Sequence, residues 1–176
     1  MCDACDRGIS SEDPVQFRQW RDQQDARIRE AIRREGWYFV GVEEDEARAR
    51  PPFAYTIGLT GLDHPELVVF GLDPEISRKV LRALARRVLD GSRLDEGDGL
   101  QLPVWTSHLH LMELRMLAMP RPEQVLLWTA ATYGPQVPIT ALQVAWDDGN
   151  GRFPWEPGYE LAAWLQPMPG TFVATP

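Results

Sequence analysis

Pro51–Leu89, PPFAYTIGLTGLDHPELVVFGLDPEISRKVLRALARRVL, decides the fold. Phe53, Tyr55, Ile57 and Leu59 alternate with other residues, the period of a half-buried β-strand. Gly58 lies inside that alternation and marks a bulge or a close backbone approach. Gly61 to Pro65 reads as a turn. Leu67 to Leu72 is nearly continuous in apolar residues, as expected of a central strand covered on both faces. Asp73-Pro74-Glu75 then starts a helix: a cap, a proline at the first helical position, and an acid where the helix dipole favours one. Ile76, Val80, Leu84 and Val88 line its inner face, and Gly91 ends it. Arg78, Arg82, Arg86 and Arg87 decorate its outer part, a stripe read as solvated, with a nucleic-acid face as the alternative.

Upstream, the pattern predicts a helix from Pro14 to Glu35, capped by Asp13, with a broken apolar stripe of Phe17, Trp20, Ile28, Ala31 and Ile32. Gly36 is its stop, Trp37 to Val42 a short strand, and Glu43 to Arg50 a charged connection. Downstream come strands over Leu100–Trp105 and Leu109–Leu117, a helix over Pro122–Tyr133 stopped by Gly134 and Pro135, and a strand over Ile139–Trp146. Asp147 to Gly151 is a tight turn. The expected fold class is α+β: a mainly antiparallel sheet of about five or six strands with two or three helices packed on it.

A chain of 176 residues is about one domain. Residues 1–176 are read as a single unit, with a cysteine-bearing N-terminal arm over 1–13 and a Pro/Trp-rich C-terminal segment over 152–176 packed on the body. Seven tryptophans and 44% hydrophobic residues supply a sizeable core. The net charge of −8 argues against a nucleic-acid duplex or an anionic membrane as the main partner. No apolar run is long enough to span a bilayer, and the first 35 residues are too polar for a signal peptide, so a cytoplasmic location is expected. Two cysteines three positions apart cannot join distant parts of a fold, so no structural disulfide is expected.

Several blocks occur together and in order: Gly36-Trp37, Pro51 to Leu59, His64 to Leu72, Tyr133-Gly134, Leu142-Gln143, and Trp146-Asp147-Asp148 through Gly151-Arg152-Phe153-Pro154-Trp155. With the Met1-Cys2-Asp3-Ala4-Cys5-Asp6 start, they give a chain that resembles the bacterial family catalogued as domain of unknown function 4262. The resemblance covers almost the whole chain. It implies a bacterial source and carries no established activity and no agreed catalytic residues.

The residues with chemistry are few, and each carries a bland reading beside the functional one. Cys2 and Cys5 at CxxC spacing supply half a tetrahedral zinc shell, and His108 and His110, alternating on one strand face, supply the other half. The alternatives are two free thiols on a terminal arm beside a half-exposed strand, a redox dithiol, or an N-terminal Cys2 nucleophile after removal of Met1. His64, between Asp63 and Pro65 in a loop joining core strands, is either an acid–base group or the cap of its turn. Tyr55, Thr56 and Gly58 with the following strand and helix are loosely similar to flavin-binding split barrels, whose hydroxyls and amides face a phosphate; otherwise the strand simply packs. Arg152 either clamps an anion or pairs locally with Glu156.

The catalytic candidates are therefore His64, Tyr55 and Arg152, the cofactor candidates Tyr55, Thr56 and Gly58, and the zinc candidates Cys2, Cys5, His108 and His110. Three readings follow. The first is a small-molecule or metal-assisted site near the Tyr55–His64 strand and turn. The second is a non-catalytic accessory module whose Trp-rich C-terminal segment docks a protein partner. The third is a flavin-type domain.

Overall fold

The computed structural model describes residues 14–45, 50–105, 109–172 and 174. Among them the chain runs α1 (Pro14–Glu35), β1 (Tyr38–Val42), β2 (Phe53–Ile57), a 3-10 turn (Leu59–Leu62), β3 (Glu66–Phe70), α2 (Pro74–Leu89), β4 (Gly99–Trp105), β5 (Leu109–Ala118), a second 3-10 turn (Pro122–Gln124), α3 (Leu127–Tyr133) and β6 (Ala141–Trp146). The six strands form one sheet in the order β1-β2-β3-β6-β5-β4. Every pairing is antiparallel except β3 with β6. The fold is α+β, as the strand and helix signals require.

Strand alternation divides the core in two. Leu67 and Val69 of β3 join Ala54 and the inner face of α2, whose Val80, Leu81, Leu84, Ala85 and Val88 are buried. Val68 and Phe70 join Phe53, Tyr55 and Ile57 on the other side, where Ile28 of α1 and Trp128 and Tyr133 of α3 pack. Each Val or Leu buried this way contributes about 1.5–3 kcal/mol relative to exposure. The start of α2 has the expected chemistry: Asp73 accepts from the Glu75 amide at 2.8 Å, and Pro74 takes the first helical position, where no amide is needed.

The structure departs from the sequence reading at three places. β2 is buried along its whole length rather than on one face, because α2 covers one side and α1 with α3 the other. Leu59 leaves the alternation: it sits in the 3-10 turn and packs with the α2 side, opposite to Phe53, Tyr55 and Ile57. The single helix expected over Pro122–Tyr133 is broken at Val125 and Leu126. The break exposes the first amides of α3, and the Trp128 amide donates to the Tyr55 hydroxyl at 3.2 Å. A phenol from the sheet thus supplies a start cap that the helix itself lacks.

The segment after β6 is tied to the sheet by side chains, among them Gln143 of β6, whose Nε2 donates to the Pro167 carbonyl at 2.8 Å. Gln166 is buried; its Oε1 accepts from the Trp146 amide at 3.0 Å and its Nε2 donates to the Trp146 carbonyl at 2.8 Å. The amide group acts as a one-residue substitute strand. Phe172 further along meets Phe53 and Phe70 edge-on, with ring centroids 5.3 and 5.0 Å away.

Candidate functional site

Glu66 is the least expected group in the sheet. It opens β3, its amide donates to the Thr140 carbonyl at 2.9 Å, and it is 0% exposed. Its Oε1 accepts from the Gly58 amide, the Thr60 amide and the Thr60 hydroxyl, each at 2.9 Å. Its Oε2 accepts from the Thr56 hydroxyl at 2.6 Å, a distance in the range of charge-assisted hydrogen bonds. Thr56 Oγ1 in turn accepts from the Leu67 amide at 2.9 Å, where the β2–β3 register has ended at Tyr55↔Val68. Burial pushes the Glu66 carboxyl above the usual range, and the four hydrogen bonds pull against that rise. Among the described residues its hydrogen-bond partners are two amides and two hydroxyls, none of them charged.

The loop that wraps this carboxyl depends on Gly58. Its φ of 133° lies in the region reserved for glycine. A Cβ there would stand 2.6 Å from the Gly36 carbonyl oxygen and 2.8 Å from Trp37 Cα. Only a bare backbone passes so close to the end of α1, and that passage aims the Gly58 and Thr60 amides at Glu66. The expected close backbone approach is therefore present, and it belongs to the carboxylate cradle.

His64 closes the same turn. Its Nδ1 lies 2.7 Å from the Pro65 carbonyl oxygen, and its Nε2 accepts from the Leu94 amide at 3.0 Å. Two such partners require a neutral ring with the proton on Nδ1. Burial lowers its pKa first, and the Arg93 charge lowers it further, against the Pro65 carbonyl and Asp95. With both nitrogens engaged, His64 clips the turn to the connection between α2 and β4. Tyr55 is likewise committed to the Trp128 amide, and burial drives its phenol far above the ordinary value. Thr56 and Gly58, read as phosphate contacts in the flavin alternative, direct their donors at Glu66.

Beside the cradle opens a cleft of about 250 Å³ lined by Arg29, Ile32, Arg33, Thr132 and Tyr133, where the end of α1 meets the end of α3. Tyr133 joins the two features. Its hydroxyl lies beside Gly61 of the turn, 3.6 Å from where a Cβ would stand, and its pKa is raised by burial and then by the charge of Glu66. Arg29 donates through Nε to Asp25 at 2.7 Å and through Nη2 to the Thr132 carbonyl at 3.3 Å. Arg33 donates through Nη2 to Glu30 at 2.6 Å. The Thr132 hydroxyl oxygen is buried and has no hydrogen-bond partner.

The remaining candidates lie elsewhere. Arg152 donates to the Gly158 carbonyl at 2.9 Å and reaches Glu160 at 4.0 Å, while Glu156 accepts from the Phe153 amide at 2.8 Å. Its local carboxylate is thus Glu160 rather than the expected Glu156. Cys2, Cys5 and His108 lie outside the described residues. The backbone of His110 pairs with Val104 in the β4–β5 ladder. Among the described residues no group of three or more His, Cys, Asp or Glu is placed to hold a metal ion.

Sequence reasoning passed over Glu66, Arg29, Arg33, Thr132 and Tyr133. Glu66 carried a usable signal: an acid opening a strand expected to be buried on both faces needs donors, and Thr56, Gly58 and Thr60 precede it. Arg29 and Arg33 are one helical turn apart on α1 but read as ordinary solvated positions. Nothing local tied them to Thr132 and Tyr133.

Residues 31–160 match the model of the family described as domain of unknown function 4262, and the chain belongs to that family. The matched span contains the whole Glu66 cradle, Arg33, Thr132 and Tyr133; Arg29 precedes it. No curated protein and no solved structure matches the chain. Among the described residues no helix is long and apolar enough to cross a membrane.

Proposed function

We propose that this member of the family is a small-molecule-binding domain whose site is the cleft between α1 and α3, beside the loop held by Glu66. The observation that carries this reading is the cleft itself, an opening of about 250 Å³ where Arg29, Ile32 and Arg33 of α1 meet Thr132 and Tyr133 of α3. The surrounding order supports it. Glu66 fixes the Gly58–Leu62 turn, the turn meets Tyr133, and Tyr133 forms the wall, so the site stands on rigid elements. A volume of about 250 Å³ suits a ligand of few heavy atoms. A panel of small metabolites screened by thermal shift tests it. Hits should raise the melting temperature of the wild type and fail to do so in Ile32→Trp, which fills the cleft. Hits that stabilise both proteins equally would count against this location.

A second reading has its own observation. Trp155 and Trp164 are each 42% exposed, and Met168 is 45% exposed, in the segment after β6. Large apolar side chains left in water on one stretch of chain favour a docking role. A partner recovered by the wild type and lost in Trp155→Ala and Trp164→Ala, with the cleft intact, supports the accessory reading.

A further inference from the structure

The turn that Glu66 anchors at its start is held at its end by a clasp. The connection between α2 and β4 grips two consecutive residues there. Arg93 donates through Nη1 to the Asp63 carbonyl at 3.1 Å, and the Leu94 amide donates to His64 Nε2 at 3.0 Å. Arg93 is aimed by Asp95, whose Oδ1 accepts from its Nε at 3.0 Å. The Asp95 amide is held in turn by Asp98 Oδ2 at 2.9 Å. Leu94 is fixed by its own side chain, which is buried in the core on the α2 side. The gripped backbone carries strain. Asp63 is left-handed, with φ of 55°, a conformation that costs a residue with a Cβ about 1–2 kcal/mol.

The clasp works in one protonation state. The neutral ring faces the Pro65 carbonyl with its Nδ1 proton and keeps a lone pair on Nε2 for the Leu94 amide. An imidazolium has protons on both nitrogens, so its Nε2–H would meet the Leu94 N–H donor to donor. His64 is 5% exposed, which leaves the charged ring no water in place. Burial and then Arg93 keep the ring neutral, against the Pro65 carbonyl and Asp95. On the turn's own side the acids are Asp63 and Glu66, and both oxygens of Glu66 are taken up in the cradle. From α3 the turn meets Tyr133, an uncharged phenol. The other end of the turn does not let go in acid. Glu66 Oε1 can accept from the Gly58 and Thr60 amides whether the carboxyl is ionised or carries a proton on Oε2. Acid therefore frees the His64 end and leaves the Gly58 end anchored, which is the arrangement of a hinge.

We infer that Leu59–His64 is an acid-released flap over the wall of the cleft. A proton taken from solvent at His64 Nε2 breaks the bond to Leu94, the turn swings out about its Glu66 anchor, and Gly61 withdraws from the Tyr133 hydroxyl. The flap stands on its own contacts; only its effect on a ligand rests on the cleft being the binding site. The test is an NMR titration of the full chain from about pH 7.5 to about pH 4.5. The Leu94 and Gly61 amides and the Tyr133 ring should move together with the His64 ring, at one shared midpoint below about 6.5. The protection of the Leu94 amide against hydrogen exchange should fall by on the order of tenfold across that midpoint. Arg93→Gln, at an exposed position, removes both the cation beside the ring and the grip on Asp63, so it should raise the midpoint. A purely structural role would leave the midpoint in place. His64→Gln keeps an acceptor for Leu94 and should abolish the step at Gly61 and Tyr133; if that variant does not fold, the wild type and Arg93→Gln decide. A His64 ring that stays neutral until the whole chain unfolds overturns the inference. So does a ring that titrates while Leu94 and Gly61 stay still, a midpoint unmoved in Arg93→Gln, or a step that survives in His64→Gln. If the shared step is present but no small molecule stabilises the protein, the flap stands and the binding site falls. If small molecules bind at the cleft and the step is absent, the site stands and the flap falls.

Discussion

Replacing Glu66 tests the cradle and gives opposite expectations for two variants. Glu66→Ala removes the acceptor of four hydrogen bonds. The Gly58 amide and the Thr56 hydroxyl are buried and would have no substitute, whereas Thr60 is part-exposed and can turn to water. An orphaned buried donor costs about 1–3 kcal/mol, so the two give about 2–6 kcal/mol. Glu66→Gln keeps an oxygen for the three Oε1 contacts and reverses only the fourth, with its amide donating to Thr56 Oγ1. Its cost at neutral pH is about 1–2 kcal/mol. The pH dependence follows from the raised carboxyl. The folded protein holds the Glu66 proton more tightly than the unfolded chain, so the stability Glu66 contributes is greatest in acid. It falls as pH rises from about 4.5, by about 1.4 kcal/mol for each unit the folded value is raised. The gap between wild type and Glu66→Gln should therefore narrow from about pH 4 to about pH 8. Urea unfolding followed by tryptophan fluorescence at both pH values measures it. The reasoning fails if Glu66→Ala stays within about 1 kcal/mol of wild type, or if wild type gains on Glu66→Gln as pH rises.

Three further outcomes are expected. Gly58→Ala must hold a φ of 133° and place a Cβ 2.6 Å from the Gly36 carbonyl oxygen; chemical unfolding should register a loss of about 2–6 kcal/mol, and a loss below about 1 kcal/mol would mean that α1 does not sit so close. Tyr55→Phe deletes the hydroxyl that meets the Trp128 amide, so it should cost about 1 kcal/mol and speed hydrogen exchange in the first turn of α3; unchanged exchange contradicts the capping role. His64 has a lowered pKa in the folded chain, so the unfolded chain binds its proton first and stability is lost as pH falls below about 6.5. His64→Gln, which keeps an acceptor for the Leu94 amide, should flatten that acid limb, and an unaltered pH profile would show that His64 is not buried in this way.

How much of this was legible in the sequence depends on how far apart the partners are along the chain. The start of α2 could be read from Asp73-Pro74-Glu75 alone, because a cap is a contact between neighbours. The central strand could be read from its unbroken apolar run, because burial on both faces leaves that mark. The break before α3 could not: the cap for Trp128 is Tyr55, 73 residues earlier, and no local pattern announces it. The candidate site shows the same division. Tyr55, Thr56, Gly58 and His64 were all picked out as unusual, and the structure gathers them at one end of β2 and β3. Thr56 and Gly58 share a reason, the buried carboxyl of Glu66, which needed the turn geometry that Gly58 permits; Tyr55 and His64 instead serve the distant amides of Trp128 and Leu94. The cleft was further out of reach, since Arg29 and Arg33 meet Thr132 and Tyr133 only once the sheet has brought α1 and α3 to the same face.

The most direct test of the whole account is an amide-resolved NMR screen of the intact chain against small carboxylates, phosphates and neutral metabolites. Shift changes should gather at Arg29–Arg33, Thr132, Tyr133 and, through the phenol, Gly61. Changes gathered instead around Trp155 and Trp164, with the helix ends silent, would contradict it.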